Sequence, residues 1–466
     1  MIARMRFLGI DIGSSFIKGA VLDTDELTIE NITRQPFPEP IAGLPASHFE
    51  VDPQAVMHAT RRVVDDLFSF APDCRGLLFA AQMGGVILTD ARGRPATNYL
   101  SWRDQRTTLA GAELTREDVS SLARRASVDE VAALLGAETL GELGQELRPG
   151  SATSLLYWLG ERGKLPEAAT PLSLGDFVAA QLGGGSPRTQ YTQALGTLNL
   201  TTRDWHRSAL QKLGLDRLAW PLLAEVWQPI GEYQAAGRLI PCFPAVGDHQ
   251  CALAGAQLES GELSINVSTG SQVSLLTESL TLGEYQSRPY LDERWLNTIT
   301  HLPAGRSLDV LVRLLTELPT AEGIELDPWP AITRAAAAAN DEELAVDLAF
   351  FAGPLGSRGS VTNISVENLT IGNLFRAALR GMAANYARCA ARLSSPQTWR
   401  RIVFSGGLAQ KLELLRQFIL AELAGDWRLC SHPEDTLQGM LTMALVIAGR
   451  AENLASASRL LATAQN

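Results

Sequence analysis

A carboxylate stands in an apolar run near the start of the chain, just before a turn of very small residues. In FLGIDIGSSFIKGAVLD, residues 7–23, Asp11 interrupts the first apolar run. The turn Gly13-Ser14-Ser15 separates that run from a second one. Such a turn exposes backbone N–H groups that can converge on an anion, and hydroxyl groups add donors. A nearby carboxylate can hold the Mg²⁺ that accompanies a polyphosphate. The alternatives are a plain hairpin turn and a carboxylate that caps it.

The same pattern recurs in the second half of the chain. LSINVSTGSQVSLLT, residues 263–277, is another apolar hairpin, and its turn contains Thr269 and Gly270. Each hairpin opens a half of the chain that continues with more strands and then helices. The duplication predicts two similar α/β halves, each offering a small-residue turn, and two such turns can clamp a polyphosphate.

The elements expected to position these residues are strand–turn–helix units. VDPQAVMHATRRVVDDLFSF, residues 51–70, predicts a helix with Asp52 as N-cap and Pro53 in its first position. PCFPAVGDHQCALAGAQ, residues 241–257, reads as a strand end, a turn and a helix start. RIVFSGGLAQKLELLRQFILAEL, residues 401–423, reads as a strand, a glycine turn and a helix.

Length, composition and charge limit the class of protein. The 466 residues allow two or three domains at about 100–200 residues each. With 46% hydrophobic and 20% charged residues, the balance is globular. A net charge of −11 argues against a nucleic-acid partner, because phosphate backbones need a basic face.

Cysteine usage and the N-terminus predict a cytoplasmic protein. The 5 cysteines are odd in number and form no CxxC pair, so free thiols are expected. MIARMRF leads straight into the first strand without a signal peptide, and no apolar stretch is long enough to suggest a membrane partner.

Other nucleotide-binding signatures are absent from the sequence. There is no GxxxxGK[ST] segment and no HRD or DFG set. The first glycine turn is followed by the strand-like FIKGAVLD rather than a helix, which disfavours a dinucleotide-binding Rossmann unit.

The motifs together resemble a known family. DIGSS, STGS and the strand–SGG–helix unit are similar to the phosphate and adenosine motifs of the actin-like ATPase superfamily. Three longer segments resemble signatures of the FGGY carbohydrate kinases and follow the family's order over nearly the whole chain. They are AAQMGGVILTDARGRPATNYLSWRDQRT, SLGDFVAAQLGGGSPRTQYTQALGTLNLTTRDW and AVGDHQCALAGAQ. Within the family, INVST, SRPYLDERW and GGLAQKLELLRQ look most like sedoheptulokinases.

The resemblance implies an α/β fold of two ribonuclease-H-like (actin-like ATPase) domains with an interdomain cleft. Residues 1–245 would form a mainly sugar-binding domain, and residues 246–466 a mainly nucleotide-binding one. The implied activity is phosphorylation of a terminal sugar hydroxyl by ATP with Mg²⁺, with sedoheptulose as the first substrate candidate. A xylulokinase-like or other sugar or polyol kinase is the alternative within the class. A sugar sensor or an actin-like ATPase without kinase activity is the alternative from another class. The implied partner is a small sugar, and a homodimer is left open.

The resemblance also assigns roles to individual residues. Asp248 is the expected general base, and its alternative is a helix N-cap. Asp11 would hold Mg²⁺ through water. The expected nucleotide and phosphate contacts are Ser14, Ser15, Lys18, Thr269, Gly270, Gly406, Gly407 and Lys411. The expected sugar contacts are Gln82, Met83, Trp102, Asp104, Asp248 and Gln250.

Several of these assignments have structural alternatives. Lys18 can be a solvated strand residue, and Trp102 can be a core aromatic. Arg106 can bind substrate or pair with Asp104. His249 is expected to be a helix-start residue rather than a catalyst. The glycines at 406 and 407 can serve a strand-to-helix turn that needs them for its own geometry.

The sequence departs from the family at two positions beside the sugar motif. The family's GQMHG is AQMGG here, with Gly84 in place of a histidine and Ala81 in place of the first glycine. The histidine lies on the substrate side in relatives, so its loss bears on sugar specificity rather than on ATP chemistry. Both candidate carboxylates, Asp11 and Asp248, are present, so an active enzyme is expected.

Overall fold

The computed structural model describes residues 4–108, 126–430, 432 and 434–464. The chain forms two compact units that are discontinuous in sequence. The first comprises Met1–Gln257, Ser287–Trp295 and Glu434–Asn466, and the second Leu258–Gln286 and Leu296–Pro433.

Strands and helices follow one another along both units. The strands are β1 (Arg6–Ile12), β2 (Phe16–Asp23), β3 (Thr28–Pro36), β4 (Glu50–Val51), β5 (Leu77–Ala81), β6 (Ile87–Thr89), β7 (Tyr99–Leu100), β8 (Thr170–Leu172), β9 (Arg188–Gln190), β10 (Leu198–Asn199), β11 (Asp204–Trp205), β12 (Leu222–Ala224), β13 (Gly231–Ala235), β14 (Arg238–Gly247), β15 (Glu262–Val267), β16 (Ser271–Thr277), β17 (Gln286–Pro289), β18 (Trp295–Leu302), β19 (Ala345–Asp347), β20 (Ser360–Thr362), β21 (Arg401–Ser405) and β22 (Asp426–Leu429). The helices are α1 (Pro53–Phe70), α2 (Ser127–Glu142), α3 (Ala152–Glu161), α4 (Leu174–Gly183), α5 (Arg207–Lys212), α6 (Asp248–Gly255), α7 (Gly305–Ala321), α8 (Trp329–Ala338), α9 (Ile371–Leu393), α10 (Gly407–Lys411), α11 (Glu413–Glu422), α12 (Asp435–Ile447) and α13 (Leu454–Ala464).

The main sheet of the first unit has the order β13-β14-β5-β1-β2-β3. β1 runs antiparallel to β2 and parallel to β5, and β14 runs parallel to β5. In this register Asp11 lies opposite Lys18, at the end of β1 next to the turn. The hairpin predicted from residues 7–23 is therefore confirmed.

Helices cover both faces of this hairpin, because small residues let them approach. A Cβ on Gly19 would lie 2.6 Å from Val63 of α1, and a Cβ on Gly9 would lie 3.3 Å from Met440 of α12. Gly9 and Gly19 are one register step apart in the antiparallel pair, so they face opposite sides of the sheet. β1 is consequently buried from its second residue to its last.

The start of α1 follows the predicted cap. Asp52 is the N-cap, and its carboxylate accepts a hydrogen bond from the Gln54 amide at 2.9 Å. Pro53 occupies the first helical position, where its missing N–H costs nothing.

The second unit repeats the strand arrangement of the first. Its sheet contains the order β18-β16-β15-β21-β22. β15 is antiparallel to β16 and parallel to β21, which is parallel to β22. An antiparallel hairpin followed by two parallel strands thus occurs in both units, which confirms the duplication predicted from the two hairpins. The arrangement is α/β and ribonuclease-H-like.

The expected domain boundary at 245/246 lies inside the first unit. Residues 245 and 246 are both in β14, and α6 follows directly within the same unit. The chain also returns to the first unit at Glu434, because α12 packs against α6 and β1. The first unit is therefore made of three segments of the chain, which a single boundary cannot separate.

All five cysteines are buried free thiols, as expected. Across the described ranges, no helix combines the length and apolar character that crossing a bilayer requires.

Candidate active site

Three carboxylates of the first unit lie within electrostatic range of one another. They are Asp11 on β1, Asp248 at the start of α6 and Asp435 at the start of α12. Close packing of the two helices brings their segments together, because Gly255 and Gly439 leave no room for a Cβ against the facing backbone. Asp435 had no motif in the sequence and was not predicted.

Asp248 is the first residue of α6 rather than its cap. Gly247 occupies the N-cap position and makes no side-chain cap bond. The Asp248 carboxylate accepts from the adjacent His249 amide at 2.8 Å. The structure therefore does not support the N-cap alternative, and Asp248 is half-buried rather than enclosed.

The environment of Asp248 suits a general base. Burial raises the pKa of this carboxyl to about 6, and Asp435 acts in the same direction. The His249 amide and the Arg288 guanidinium oppose the rise by stabilising the anion. A carboxyl with a pKa of about 6 is largely ionised at neutral pH yet can take up a proton during reaction.

A buried ion pair lies beside Asp248. Arg288 contacts Glu146 with Nε–Oε1 at 2.5 Å and Nη2–Oε2 at 3.3 Å. Its Nη1 lies 3.0 Å from His249 Nδ1. Burial, and then Arg288, lower the pKa of His249 well below its usual value, so this imidazole is neutral and accepts the arginine hydrogen bond. Arg288 belongs to SRPYLDERW, which carried a family likeness but no predicted role.

Asp11 is buried on the strand side of the cluster. Burial, and next the charge of Asp248, raise the pKa of its carboxyl to about 8, while Lys18 lowers it. Lys18 Nζ also lies 2.8 Å from Glu434, so Lys18 is a partly buried, ion-paired residue and not a solvated one. An excess of carboxylates fits a divalent cation, because hard oxygen donors and negative charge are what Mg²⁺ requires. Within the ranges that the structure covers, no three His, Cys, Asp or Glu side chains are grouped to hold an ion by themselves.

Two predicted sugar contacts form a hydrogen-bonded chain to the first turn. The Trp102 indole donates from Nε1 to Gln82 Oε1 at 2.9 Å. Gln82 Nε2 lies 3.4 Å from the Gly13 carbonyl oxygen. Trp102 is partly exposed, so it is not a core aromatic, and the thioether of Met83 packs on Gly247 next to Asp248.

The structure gives Asp104 a different role from the direct sugar contact expected. Asp104 has no exposed surface. Its oxygens accept from the Phe49 amide at 2.7 Å and from Arg106 Nε and Nη2 at 2.8 and 2.7 Å. Arg106 also contacts Glu50 at 2.6 Å, which decides between its two alternatives in favour of pairing. This ion pair fixes the segment that carries Trp102.

Gln250 is also fully buried instead of facing a sugar. Its Nε2 donates to the Pro289 carbonyl at 3.1 Å and thereby holds the segment that contains Arg288. Asp176 is buried as well, and its carboxylate accepts from Thr189 Oγ1 at 2.9 Å.

Arg103 was not predicted, although it lies between the sugar motif and the first turn. Its guanidinium carbon is 5.3 Å from the Phe49 ring centroid and 5.4 Å from that of Trp102. Nη2 lies 3.4 Å from the Ser14 carbonyl oxygen. The only sequence signal was its position inside SWRDQR.

The second unit carries the remaining nucleotide candidates. A Cβ on Gly270 or Gly407 would meet no atom within 4 Å, so both residues border open space. Gly406 has φ +85° and a Cβ there would lie 2.5 Å from the Val267 carbonyl oxygen, so this glycine serves the turn itself. Nearby is a cavity of about 480 Å³ whose lining includes Trp329, Ile332, Phe375, Lys411, Leu414 and Phe418.

Comparison with known proteins agrees with this arrangement. Residues 6–255 match the model of the FGGY family of carbohydrate kinases, N-terminal domain. Sedoheptulokinase of Mus musculus is 24% identical over 476 residues, covering 90% of this chain and 92% of that protein. Xylulose kinase of Bacillus subtilis (strain 168) is 22% identical over 289 residues, covering 57% of this chain and 52% of that protein.

A solved structure shares the fold over almost the full length. The gluconate kinase from Lactobacillus acidophilus superposes with a TM-score of 0.84 at 16% identity, covering 98% of this chain and 92% of that one. The family match spans more than half of the chain and includes Asp11 and Asp248. This chain belongs to the FGGY family of carbohydrate kinases.

Proposed function

We propose that the protein transfers the γ-phosphoryl group of ATP to a terminal hydroxyl of a sugar, with the ketose sedoheptulose as the first candidate. The observation that carries the catalytic part is Asp248, a half-buried residue whose carboxyl has its pKa raised by burial to about 6. It lies in the same unit as Trp102, Gln82 and the small-residue turn. The substrate is suggested by sedoheptulokinase of Mus musculus, which aligns with 90% of this chain.

In the proposed reaction, Asp248 accepts the proton of the attacking hydroxyl. The oxygen attacks the γ-phosphorus in line, the bond to the β-phosphate oxygen breaks, and ADP leaves. Positioning and neutralisation of charge account for most of the catalysis in such transfers. Mg²⁺, held by Asp11 through water, would supply positive charge to the phosphate oxygens.

The remaining assignments divide between the turns and the glycine segment. Ser14, Ser15, Thr269 and Gly270 would bind phosphate oxygens through backbone amides and hydroxyls. Lys18 would lower the pKa of Asp11 and offset part of the negative charge around it.

Gly407 and Lys411 would border the nucleoside, because Gly407 faces open space and Lys411 lines the cavity of about 480 Å³. Gly406 would support this contact by shaping the turn.

Xylulose is the second substrate candidate, because xylulose kinase of Bacillus subtilis is among the similar proteins. Gly84 replaces a family histidine that lies on the substrate side in relatives, so the sugar preference of those relatives need not apply to this chain. ADP release measured with sedoheptulose, D-xylulose, D-ribulose, L-ribulose, glycerol and erythritol tests the proposal. Rapid turnover with one compound supports a kinase and names its substrate. ATP hydrolysis that no compound stimulates, or tight sugar binding without ADP release, contradicts it.

The pH profile should report the pKa of Asp248. The reaction needs the ionised Asp248 carboxylate, and saturating Mg·ATP would keep Asp11 ionised despite its raised pKa. We therefore expect kcat/KM to fall about tenfold per pH unit below about pH 6 and to level off above it. The measurement is kcat/KM for the sugar between pH 4.5 and 8.5 at saturating Mg·ATP. A kcat/KM that stays nearly constant down to pH 4.5, as for an aspartate with the ordinary pKa near 4, would contradict the assigned environment.

Substitutions at the two glycines should separate nucleotide binding from backbone geometry. Gly407→Val adds a side chain where open space lies, so we expect an unchanged melting temperature and a raised KM for ATP. Gly406→Val places a Cβ at φ +85° and against Val267, so we expect the melting temperature to fall. Thermal unfolding and ATP kinetics of both variants give the comparison. An unchanged KM for ATP in Gly407→Val would remove this glycine from the proposed site.

A further inference from the structure

The turn of the second unit has its carbonyl groups fixed by backbone. Ser268 O accepts from the Gly305 amide at 3.1 Å, and Thr269 O accepts from the Arg306 amide at 2.8 Å. Gly305 and Arg306 are the first residues of α7, whose amides have no partner inside the helix. The orientation of this turn is therefore set by a rigid element.

In the turn of the first unit, the two equivalent carbonyls contact side chains instead. Gly13 O lies 3.4 Å from Gln82 Nε2, and Ser14 O lies 3.4 Å from Arg103 Nη2. The correspondence is counted from the last residue of the first strand, Ile12 or Val267. The turn of the first unit is one residue longer, because Ile12 pairs with Ile17 and Val267 pairs with Ser271. Both contacts are long for N–H···O hydrogen bonds, so they hold the turn less firmly than α7 holds its counterpart.

The direction of these carbonyls decides the direction of the amides. In a trans peptide the C=O and the next N–H point to opposite sides. The Gly13 and Ser14 carbonyls point toward the Gln82 and Arg103 side chains. The amides that follow, those of Ser14 and Ser15, therefore point away from these two side chains. These two amides donate to no group within the described residues, so they are available for an anion.

Both side chains also belong to the region assigned to sugar binding. Gln82 accepts from the Trp102 indole, and the Arg103 guanidinium carbon lies within 5.4 Å of the ring centroids of both Trp102 and Phe49. We infer that Gln82 and Arg103 are positioning residues that couple the sugar site to the phosphate-binding turn. A sugar that contacts Trp102 and Gln82 shortens the two long contacts and thereby orients the Ser14 and Ser15 amides toward the nucleotide phosphates. This inference rests on the proposed function.

The test is a coupling measurement by binding, without turnover. Isothermal titration gives the Kd of Mg·AMP-PNP with and without a saturating sugar, using the panel compound that is turned over fastest, or D-xylulose if none is. We expect the wild type to bind the nucleotide at least about fivefold tighter with sugar, and the sugar to bind tighter with nucleotide by the same factor. In Arg103→Gln we expect that factor to fall to near one while sugar alone still binds. Arg103→Lys, which keeps the charge but loses the planar fork, should lie in between.

Arg92→Gln is the matched control, because Arg92 is an exposed arginine of the same unit. It should keep the wild-type coupling. Equal coupling in wild type and Arg103→Gln would overturn the inference, as would a wild-type nucleotide affinity that no sugar alters. If Arg103→Gln unfolds, the coupling of Arg103→Lys decides, and a wild-type value there overturns the inference. Kinase turnover by the wild type in any of these cases would leave the proposed function standing, whereas its absence would remove that proposal separately.

Discussion

Asp248→Asn is expected to lower kcat for sugar phosphorylation by about 10²–10⁴-fold, the usual contribution of a positioned general base. Asparagine keeps the shape of the side chain and removes both the negative charge and the proton acceptor. Since Asp248 is one of the charges that raise the pKa of Asp11, its neutralisation relieves repulsion within the carboxylate group. The melting temperature should therefore stay at the wild-type value or rise. Steady-state kinetics and thermal unfolding measure both effects.

Asp176→Asn provides the matched control for this variant. Asp176 is another buried aspartate of the first unit, with a pKa raised by burial to about 7, and its carboxylate accepts from Thr189 Oγ1. The control should retain kcat to within a few-fold. A loss in Asp248→Asn no larger than that of the control would contradict the assignment of Asp248 as base.

Arg288→Met is expected to destabilise the first unit by about 3–5 kcal/mol, because it removes the arginine that is hydrogen-bonded to the buried Glu146. The side chains of Arg288 and Glu146 are only 6% and 4% exposed, so little water reaches the lost contacts. His249 would lose the donor to its Nδ1 as well. Denaturant unfolding of the intact chain, followed by circular dichroism, measures the change, and a protein of two units can show two transitions.

Two further variants serve as comparisons for Arg288→Met. Arg94→Met breaks an exposed ion pair with Asp90 and should change the stability far less, because solvent screens exposed charges. The double variant Glu146→Gln with Arg288→Met removes both charges and should recover much of the lost stability. A loss in Arg288→Met as small as that in Arg94→Met would mean that the buried pair contributes little.

The sequence predicted well those parts of the fold that depend on local patterns. The two hairpins, the small-residue turns and the start of α1 depend on neighbouring residues, whose alternation, glycine content and capping are visible in the sequence. The duplicated hairpins led to the two similar sheets. The return of α12 to the first unit was not part of the prediction of a boundary at 245/246, because it depends on packing against α6 rather than on any local signal.

For the candidate site, the sequence predicted residue types suited to the chemistry. It was less successful in predicting which of these residues face a ligand. Asp11 and Asp248 are close enough for the charge of Asp248 to raise the pKa of Asp11. Asp104 and Gln250 have the expected residue types but are buried, and their partners, Arg106 and the Pro289 carbonyl, come from tertiary contacts. Asp435 and Arg288 were missed for the same reason, since each is brought to the site from a distant segment.

The most direct test of the account is the amount of sugar phosphate formed per ADP released, in wild type and in Asp248→Asn. Phosphorus NMR of the reaction with the fastest panel sugar measures both products at once. The account predicts one sugar phosphate for each ADP in the wild type, and loss of both products together in Asp248→Asn. ADP released without sugar phosphate, at a rate that survives in Asp248→Asn, would contradict it.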